Sequence, residues 1–211
     1  LFGYFKQHFA QVSNPPLDAI REELVTSMEA FLGAEGNLFE ETPEQCRRLK
    51  LNEPVLTNRD LEKIKALDLP GLRATTLSAL FRPADGPGAL ERAVNTLCEQ
   101  ASQAVKDGCS IIVLSDRGVD GAHAPIPSLL ATAGVHHSLI REGTRTRVGL
   151  VVEAGEPREV AHFALLFGYG AGAVNAYLAF ETLEDLAAHG NEPDIIDYPT
   201  AEANFVKAVH K

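Results

Sequence analysis

Four short apolar runs alternate with helix-like segments between residues 75 and 180, and this alternation constrains the fold more than any other feature. The runs occupy residues 75–81, 110–115, 148–153 and 173–180. Each is largely apolar and mostly β-branched or aromatic, as is typical of a strand buried on both faces. Strand and helix in alternation predict an α/β fold. We expect an incomplete, half-barrel-like parallel sheet of about four βα units, too few to close a barrel.

The segments between and after these runs have helical periodicity. We predict helices over residues 88–106, 125–140, 157–166, 183–189 and 201–210. The glycine-rich stretch Gly168-Tyr169-Gly170-Ala171-Gly172 follows a predicted helix and precedes a predicted strand. A dinucleotide fingerprint has the opposite order, so these glycines indicate a helix C-cap and a tight turn.

Residues 1–72 form a different, helical and loop-rich segment. Apolar residues recur at helical spacing from Leu17 to Phe31, and Gly33 is a plausible stop. Thr42, Pro43 and Gln45 fit a capping box, and a short helix is expected over residues 57–67. We expect this segment to pack on the sheet of residues 73–211, so that the two parts make one structural domain.

Composition narrows the function classes. The 211 residues are 45% hydrophobic and 23% charged, with a net charge of -10 and no basic run, which argues against a nucleic-acid partner. No segment approaches the roughly 20 apolar residues of a membrane span. Cys46, Cys98 and Cys109 are widely spaced, which is typical of a reducing, cytoplasmic compartment and indicates neither a disulfide framework nor a thiolate metal site.

Charged residues follow the predicted strands, where parallel α/β sheets gather their ligand groups. The polar residues at these positions are Arg82, Ser115, Asp116, Arg117, Glu153 and Glu181. Two guanidinium groups among three carboxylates can bind a carboxylated substrate or act as acid and base. Equally, they can pair with one another in a buried network.

Two weaker patterns leave alternatives open. Asp116, Asp120 and His123 offer oxygen and nitrogen ligands for a metal, although no helix or strand fixes them. Gly86 and Gly88 follow the first predicted strand and open a helix, which is the order of a helix N-terminal phosphate site, but the fingerprint's third glycine is absent.

An ordered set of motifs resembles one family. The motifs are QVSNPPLDAIRE at 11–22, GNLFEETPEQ at 36–45, LNEPVLT at 51–57, LSDR at 114–117, IPSLLA at 126–131 with VHH at 135–137, and GEPRE at 155–159 with GYGA at 168–171. Together they resemble the central domain of glutamate synthase, the large subunit that makes glutamate from glutamine and 2-oxoglutarate. The resemblance covers nearly the whole chain.

The resemblance implies a non-catalytic connecting domain. Its partners are an amidotransferase domain and an FMN-binding domain of the same polypeptide, and it helps to form the tunnel that carries ammonia between them. FMN and the iron–sulfur cluster of the parent NADPH- or ferredoxin-dependent oxidoreductase belong to the other parts, so no cofactor is expected here. The candidate residues for the rim, the tunnel or a domain interface are Arg82, Ser115, Asp116, Arg117, Glu153, Tyr169, Asn175, Tyr177 and Glu181.

Two other hypotheses remain open. A free-standing α/β enzyme or binding protein for a carboxylated metabolite would use Arg82, Asp116, Arg117 and Glu153. A surface for homo-oligomerisation of the parent enzyme is permitted by the acidic charge and the C-terminal helical pattern. The first residue is not Met, which favours a piece of a longer polypeptide.

Overall fold

Strands and helices alternate along most of the chain in the computed structural model, which describes residues 2–5, 26–37, 39–190 and 196–210. The strands are β1 (Ala30–Leu32), β2 (Leu49–Leu51), β3 (Asp68–Leu69), β4 (Leu72–Ser78), β5 (Leu80–Phe81), β6 (Ile111–Ser115), β7 (Ala124–Pro125), β8 (Gly149–Glu153) and β9 (Ala173–Asn175). The α-helices are α1 (Asn58–Lys65), α2 (Ala89–Lys106), α3 (Ser128–Arg141), α4 (Val160–Gly168), α5 (Tyr177–His189) and α6 (Tyr198–Val209). Short 3₁₀ helices cover Phe2–Phe5, Pro43–Cys46, Pro83–Asp85 and Arg145–Arg147.

The predicted α/β fold is confirmed. A five-stranded sheet has the spatial order β3-β4-β6-β8-β9, with parallel pairing between β4, β6, β8 and β9 and antiparallel pairing between β3 and β4. Every residue of β6 is buried, as its continuous apolar run predicts for a strand covered on both faces. Beyond β9, Val55 forms an isolated parallel bridge with Val174.

Side chains of the sheet alternate between two faces, each with its own apolar cover. On the face that we call the inner face, Ile111, Val113 and Val151 pack against residues from the N-terminal part of the chain. These covering residues are Leu32, Leu56, Leu61 and Ile64. Helix α1 is therefore held on the inner face by its apolar stripe, which contains Leu61 and Ile64.

The outer face packs on the helices that connect the strands. Ile112 and Leu114 of β6 belong to a core with residues of α2 and α3, including Leu97 and Val135. Val152 and Val174 belong to a second core with residues of α4, α5 and α6, namely Phe163, Leu166, Phe180, Val206 and Val209. Helices cover one face of the central strands and an N-terminal layer covers the other, so both faces are buried.

The β1–β2 hairpin closes the end of the sheet at which β8 and β9 begin. Leu32 is buried there, and a Cβ atom added to Gly172 would lie 2.7 Å from its Cδ2 atom. A Cβ atom added to Gly149 would lie 3.0 Å from the backbone nitrogen of Gly33. Glycine at both strand starts therefore lets the hairpin approach the sheet closely.

Three predicted elements are wrong in part. Residues 26–29 have no regular structure and Phe31 lies in β1, so the helix predicted up to Phe31 does not reach that residue; its earlier part lies outside the described residues. The strand predicted over 173–180 ends at Asn175, and α5 begins at Tyr177 instead of residue 183. The residues after Thr42 form a 3₁₀ helix without a side-chain cap.

The glycine-rich turn has the predicted order of helix, turn and strand. Tyr169 is the C-cap of α4, and β9 starts at Ala173. Gly170 has a φ of +113°, a backbone conformation that side chains disfavour. Within the described ranges, no helix is both long enough and apolar enough to cross a membrane.

Candidate functional site at the carboxyl edge of the sheet

Three polar residues end three neighbouring strands at the same level. Ser115 of β6 is paired in register with Glu153 of β8, and Glu153 is paired with Asn175 of β9. Paired residues of parallel strands share a face, so all three side chains lie on the inner face, directly beyond the apolar layer of Val113 and Val151. All three residues are buried.

Two cations bind the Glu153 carboxylate. Its Oε1 atom accepts a hydrogen bond from Nε of Arg117 at 2.6 Å and another from Nζ of Lys65 at 2.9 Å. Burial alone would raise the pKa of the Glu153 carboxyl, but the polar side chain of Ser115 and the two cations outweigh it, and the pKa lies below its ordinary value. Glu153 is therefore ionised at neutral pH in a site without contact to solvent.

Arg117 connects Glu153 to the next helix. Its NH1 group donates to Oε1 of Glu181 at 2.7 Å, and its guanidinium lies 4.1 Å from the centre of the Tyr177 ring. Tyr177 and Glu181 are one helical turn apart on α5, so one face of that helix presents both partners. The guanidinium is thus held by two carboxylates and a ring.

Asp116 faces a different environment from its neighbours. Its two carboxylate oxygens accept from the backbone N–H of Gly155 at 3.2 and 3.1 Å. Burial raises the pKa of the Asp116 carboxyl, against the lowering effect of hydrogen bonds from Gly155 and Tyr177. Burial and the adjacent Asp116 carboxylate also raise the pKa of the Tyr177 phenol.

Asn175 ties the end of β9 to the start of α1. Its Nδ2 group donates to the carbonyl of Leu56 and to Oδ1 of Asn58, each at 2.9 Å. Asn58 begins α1 and Lys65 ends it. The helix therefore contacts Asn175 at its first residue and Glu153 at its last residue.

Seven of the nine residues proposed from the sequence lie in this polar cluster. They are Ser115, Asp116, Arg117, Glu153, Asn175, Tyr177 and Glu181. Arg82 is elsewhere: it lines a groove of about 910 Å³ between β4 and α2, and within the described ranges no ion pair joins it to the cluster. Tyr169 lies before β9, at the opposite edge of the sheet, because a turn from helix to strand meets the strand's amino end.

Lys65 is the member of the polar cluster that the sequence did not indicate. It is the last residue of a short amphipathic helix, where lysine is an ordinary exposed residue that favours the helix dipole. Only the placement of α1 over the sheet brings it to Glu153, 88 positions later in the chain.

The cluster has the chemistry of a closed ion-pair network. Lys65 and Arg117 neutralise the buried carboxylate of Glu153. Glu181, the other carboxylate that binds Arg117, is at the surface. Asp120, proposed as a metal ligand, accepts instead from the backbone and ring of His123. Among the residues that the structure describes, no group of three His, Cys, Asp or Glu side chains is arranged to hold a metal ion.

Comparisons with known proteins agree along the whole chain. The family described as "Glutamate synthase central domain" matches residues 1–211. The chain is 44% identical over 209 residues to the glutamate synthase [NADPH] large chain of Bacillus subtilis, covering 99% of this chain and 13% of that protein. It is 40% identical to the glutamate synthase [NADH] of Schizosaccharomyces pombe, covering 100% of this chain and 10% of the relative.

Another relative has a different electron donor in its name. The ferredoxin-dependent glutamate synthase of Pyropia yezoensis is 40% identical over 220 residues, which cover 99% of this chain and 14% of that protein. The chain thus spans only a small part of each relative. With a family match over its full length, the chain belongs to the glutamate synthase central domain family.

Proposed function

We propose that this chain is the connecting domain of a glutamate synthase that forms glutamate from glutamine and 2-oxoglutarate. It links an amidotransferase domain to an FMN-binding domain, helps to form the passage for ammonia, and performs no catalysis itself. Membership of the central domain family supports the assignment. The 10% to 14% share of the relatives' length leaves room in such a protein for both partner domains.

The observation that carries the non-catalytic part of this proposal is the pairing of the strand-end charges with one another. Oε1 of Glu153 is bound by both Lys65 and Arg117, and Arg117 also binds Glu181. A group that binds a substrate or moves a proton must be available to the substrate. Here the buried carboxylate instead fixes α1 and α5 against the sheet, which is a structural task.

The residues that the structure describes do not fit the cofactors implied for the parent enzyme. An iron–sulfur cluster needs several convergent cysteine thiolates. Cys46 is exposed, Cys98 is half-buried in α2 and Cys109 is buried before β6, and among the described residues no three such side chains are grouped to hold a metal ion. The glycine-rich turn at Gly170 precedes a strand and presents no helix N-terminus to a flavin phosphate.

We also propose that residues 1–72 and 73–211 act as one structural domain. Apolar residues of the first part, including Leu32 and Ile64, are buried against Val113 and Val151 of the second. A half-barrel sheet exposes an apolar face that must be covered. The nine residues named from the sequence remain our candidates for the tunnel or a domain interface, with Arg82 and Tyr169 away from the cluster that contains the other seven.

The proposal is tested in a full-length glutamate synthase that contains this domain. Arg117→Gln loosens the contact of α5 with the sheet edge, and Glu91→Gln on exposed α2 is the matched control. We expect less glutamate per glutamine hydrolysed in Arg117→Gln, because ammonia escapes, and an unchanged rate when saturating ammonium salt replaces glutamine. An equal loss with both nitrogen sources would assign the domain a catalytic role, and an unchanged ratio would refute its role in the passage.

A further inference from the structure

Two acceptor oxygens at the centre of the polar cluster have no hydrogen-bond partner within the described part of the chain. They are Oε2 of Glu153 and Oδ1 of Asn175, and each is fully shielded from solvent. A buried acceptor without a donor destabilises the folded state, and a charged acceptor does so more strongly. Native proteins satisfy nearly all such groups, so two in adjacent residues indicate a common donor.

The strand register places the two residues that carry these oxygens side by side. Glu153 and Asn175 are direct partners in the parallel pair β8–β9, and strands of a sheet lie about 4.8 Å apart. Both side chains point to the inner face, where α1 covers them and contacts each of them. A single small molecule can therefore reach both oxygens.

The hydrogen bonds of Asn175 and Glu153 determine which acceptor oxygen of each side chain has no donor. Nδ2 of Asn175 already donates to the Leu56 carbonyl and to Asn58, so reversing the amide would set its oxygen against a carbonyl oxygen. Lys65 and Arg117 both bind Oε1 of Glu153, and the Ser115 side chain, which also stabilises the ionised carboxylate, makes no hydrogen bond to Oε2. Oε2 is left as the second acceptor.

Local charge selects a neutral occupant. Lys65 and Arg117 already place two positive charges on the one buried carboxylate, so a further cation would be repelled by both. An anion would be repelled by Glu153 itself. The occupant must also donate at least two hydrogen bonds and be small enough to lie beneath α1.

We propose that one small neutral molecule with two hydrogen-bond donors, either water or ammonia, binds between Oε2 of Glu153 and Oδ1 of Asn175. Water is the ordinary occupant of such polar buried sites. The ammonia alternative rests on the proposed function, since a chain that helps to form an ammonia passage would meet ammonia at this cluster.

The first test is a high-resolution structure of the full-length parent protein. We expect a density peak about 2.6–3.2 Å from both oxygens. The peak should disappear in Asn175→Leu, and also in Glu153→Gln, whose amide can donate directly to Asn175. Asn95→Leu, on the exposed side of α2, is the control that keeps the peak. No peak in the unaltered protein, or a side chain of another domain bound to Oε2, would overturn the proposal.

The second test separates water from ammonia. The thermal midpoint of the same protein is measured in ammonium chloride and in an equal concentration of sodium chloride, at a mildly acidic and at a more alkaline pH. An ammonium-specific rise at alkaline pH only, lost in Asn175→Leu, identifies ammonia, because the neutral form grows with pH. Equal midpoints in both salts, with the peak present, identify water.

An ammonium-specific rise that is larger at acidic pH, or one that potassium also produces, would indicate a cation and contradict the proposal. These readouts do not depend on ammonia transfer between domains. An absent peak leaves the connecting role intact, and an unchanged glutamate-to-glutamine ratio leaves the binding site intact.

Discussion

Arg117 binds two carboxylates, the buried Glu153 and the partly exposed Glu181, at almost the same distance. Its Nε atom lies 2.6 Å from Oε1 of Glu153, whose side chain is 0% exposed. Its NH1 atom lies 2.7 Å from Oε1 of Glu181, whose side chain is 43% exposed. The two contacts share one cation, so the two carboxylates differ in burial and in Lys65, which binds Glu153 as well.

Glu153→Gln should cost more stability than Glu181→Gln. The first change removes charged hydrogen bonds in a dry site, for which we expect a loss of about 1.5–3 kcal/mol in the free energy of unfolding. The second removes a solvent-screened pair, for which we expect about 0.2–1 kcal/mol. Urea unfolding of both variants measures the difference. Equal losses would mean that water reaches Glu153.

Asp116→Asn should remove a pH-dependent loss of stability. The folded pKa of Asp116 is raised by burial, so the folded state binds its proton more tightly than the unfolded state does. The free energy of unfolding therefore falls as pH rises from about 3.9 through the folded pKa. Relative to the unaltered chain, the variant should gain stability across that window, as measured by urea unfolding over a pH series.

Asp60→Asn is the control of opposite sign for that series. A hydrogen bond from Lys63 is the largest cause of the lowered pKa of Asp60. Its ionised form stabilises the fold above the unfolded pKa, and that contribution is lost as pH falls through the folded pKa. Because the amide cannot ionise, this variant should lose stability relative to the unaltered chain as pH rises from the lowered folded pKa to about 3.9, which is the window below that of Asp116. A gain of stability in Asp60→Asn over its window, or a loss in Asp116→Asn over its own, would contradict the assignment.

Gly170→Ala should destabilise the chain, whereas Gly168→Ala should not. A Cβ atom at residue 170 would lie 2.0 Å from Nδ1 of His136, and the φ of +113° is unfavourable for alanine. The His136 ring has little freedom to move, because Nε of Arg145 donates to it at 2.9 Å. We expect a loss of more than about 1 kcal/mol.

At Gly168, the last residue of α4, no heavy atom lies within 4 Å of an added Cβ. Alanine there should leave the free energy of unfolding unchanged or raise it by up to about 1 kcal/mol, since alanine favours a helix. Chemical denaturation of the pair provides the measurement. A tolerated Gly170→Ala would show that the turn rearranges.

Leu32→Ala should be far more costly than Phe31→Ala, although the two residues are neighbours in β1. Leu32 is 0% exposed and holds the hairpin against β8 and β9, so we expect a loss of about 2–5 kcal/mol. Phe31 is 51% exposed and lies under the Arg48 guanidinium at 5.1 Å, a contact worth about 0.5–1 kcal/mol. Thermal and urea unfolding compare them. A small effect of Leu32→Ala would indicate that the hairpin contributes little to the core.

Strands buried on both faces were predicted from the sequence almost to the residue. Residues 110–115 and 148–153 became β6 and β8, because their continuous apolar runs have few other stable arrangements. The strand predicted over residues 173–180 is wrong after Asn175, because a continuous apolar run is also compatible with a buried helix. Its apolar residues continue from β9 into α5, where Phe180 is buried, and an unbroken apolar run carries no period that distinguishes strand from helix.

The helical spacing of apolar residues predicted a helix up to Phe31, and this prediction is wrong at its end. Phe31 lies in an antiparallel strand paired with Lys50, and the contacts of β1 with the distant β8 override the local pattern. Arg117 and Glu153 were named from their positions after strands. Lys65, which completes their network, carries no sequence signal because its partner is 88 positions away.

The sequence by itself determined the α/β class, the parallel central strands, the order of helix and strand around Gly170, and the strand-end positions of Ser115 and Glu153. These follow from local apolar patterns and from the rule that parallel strands end at one edge. The tertiary structure alone decided that α1 covers the inner face and that Lys65 and Arg117 share Glu153. It also left two buried acceptor oxygens, on residues paired between β8 and β9, without a donor among the described residues, since such contacts depend on how separate elements pack.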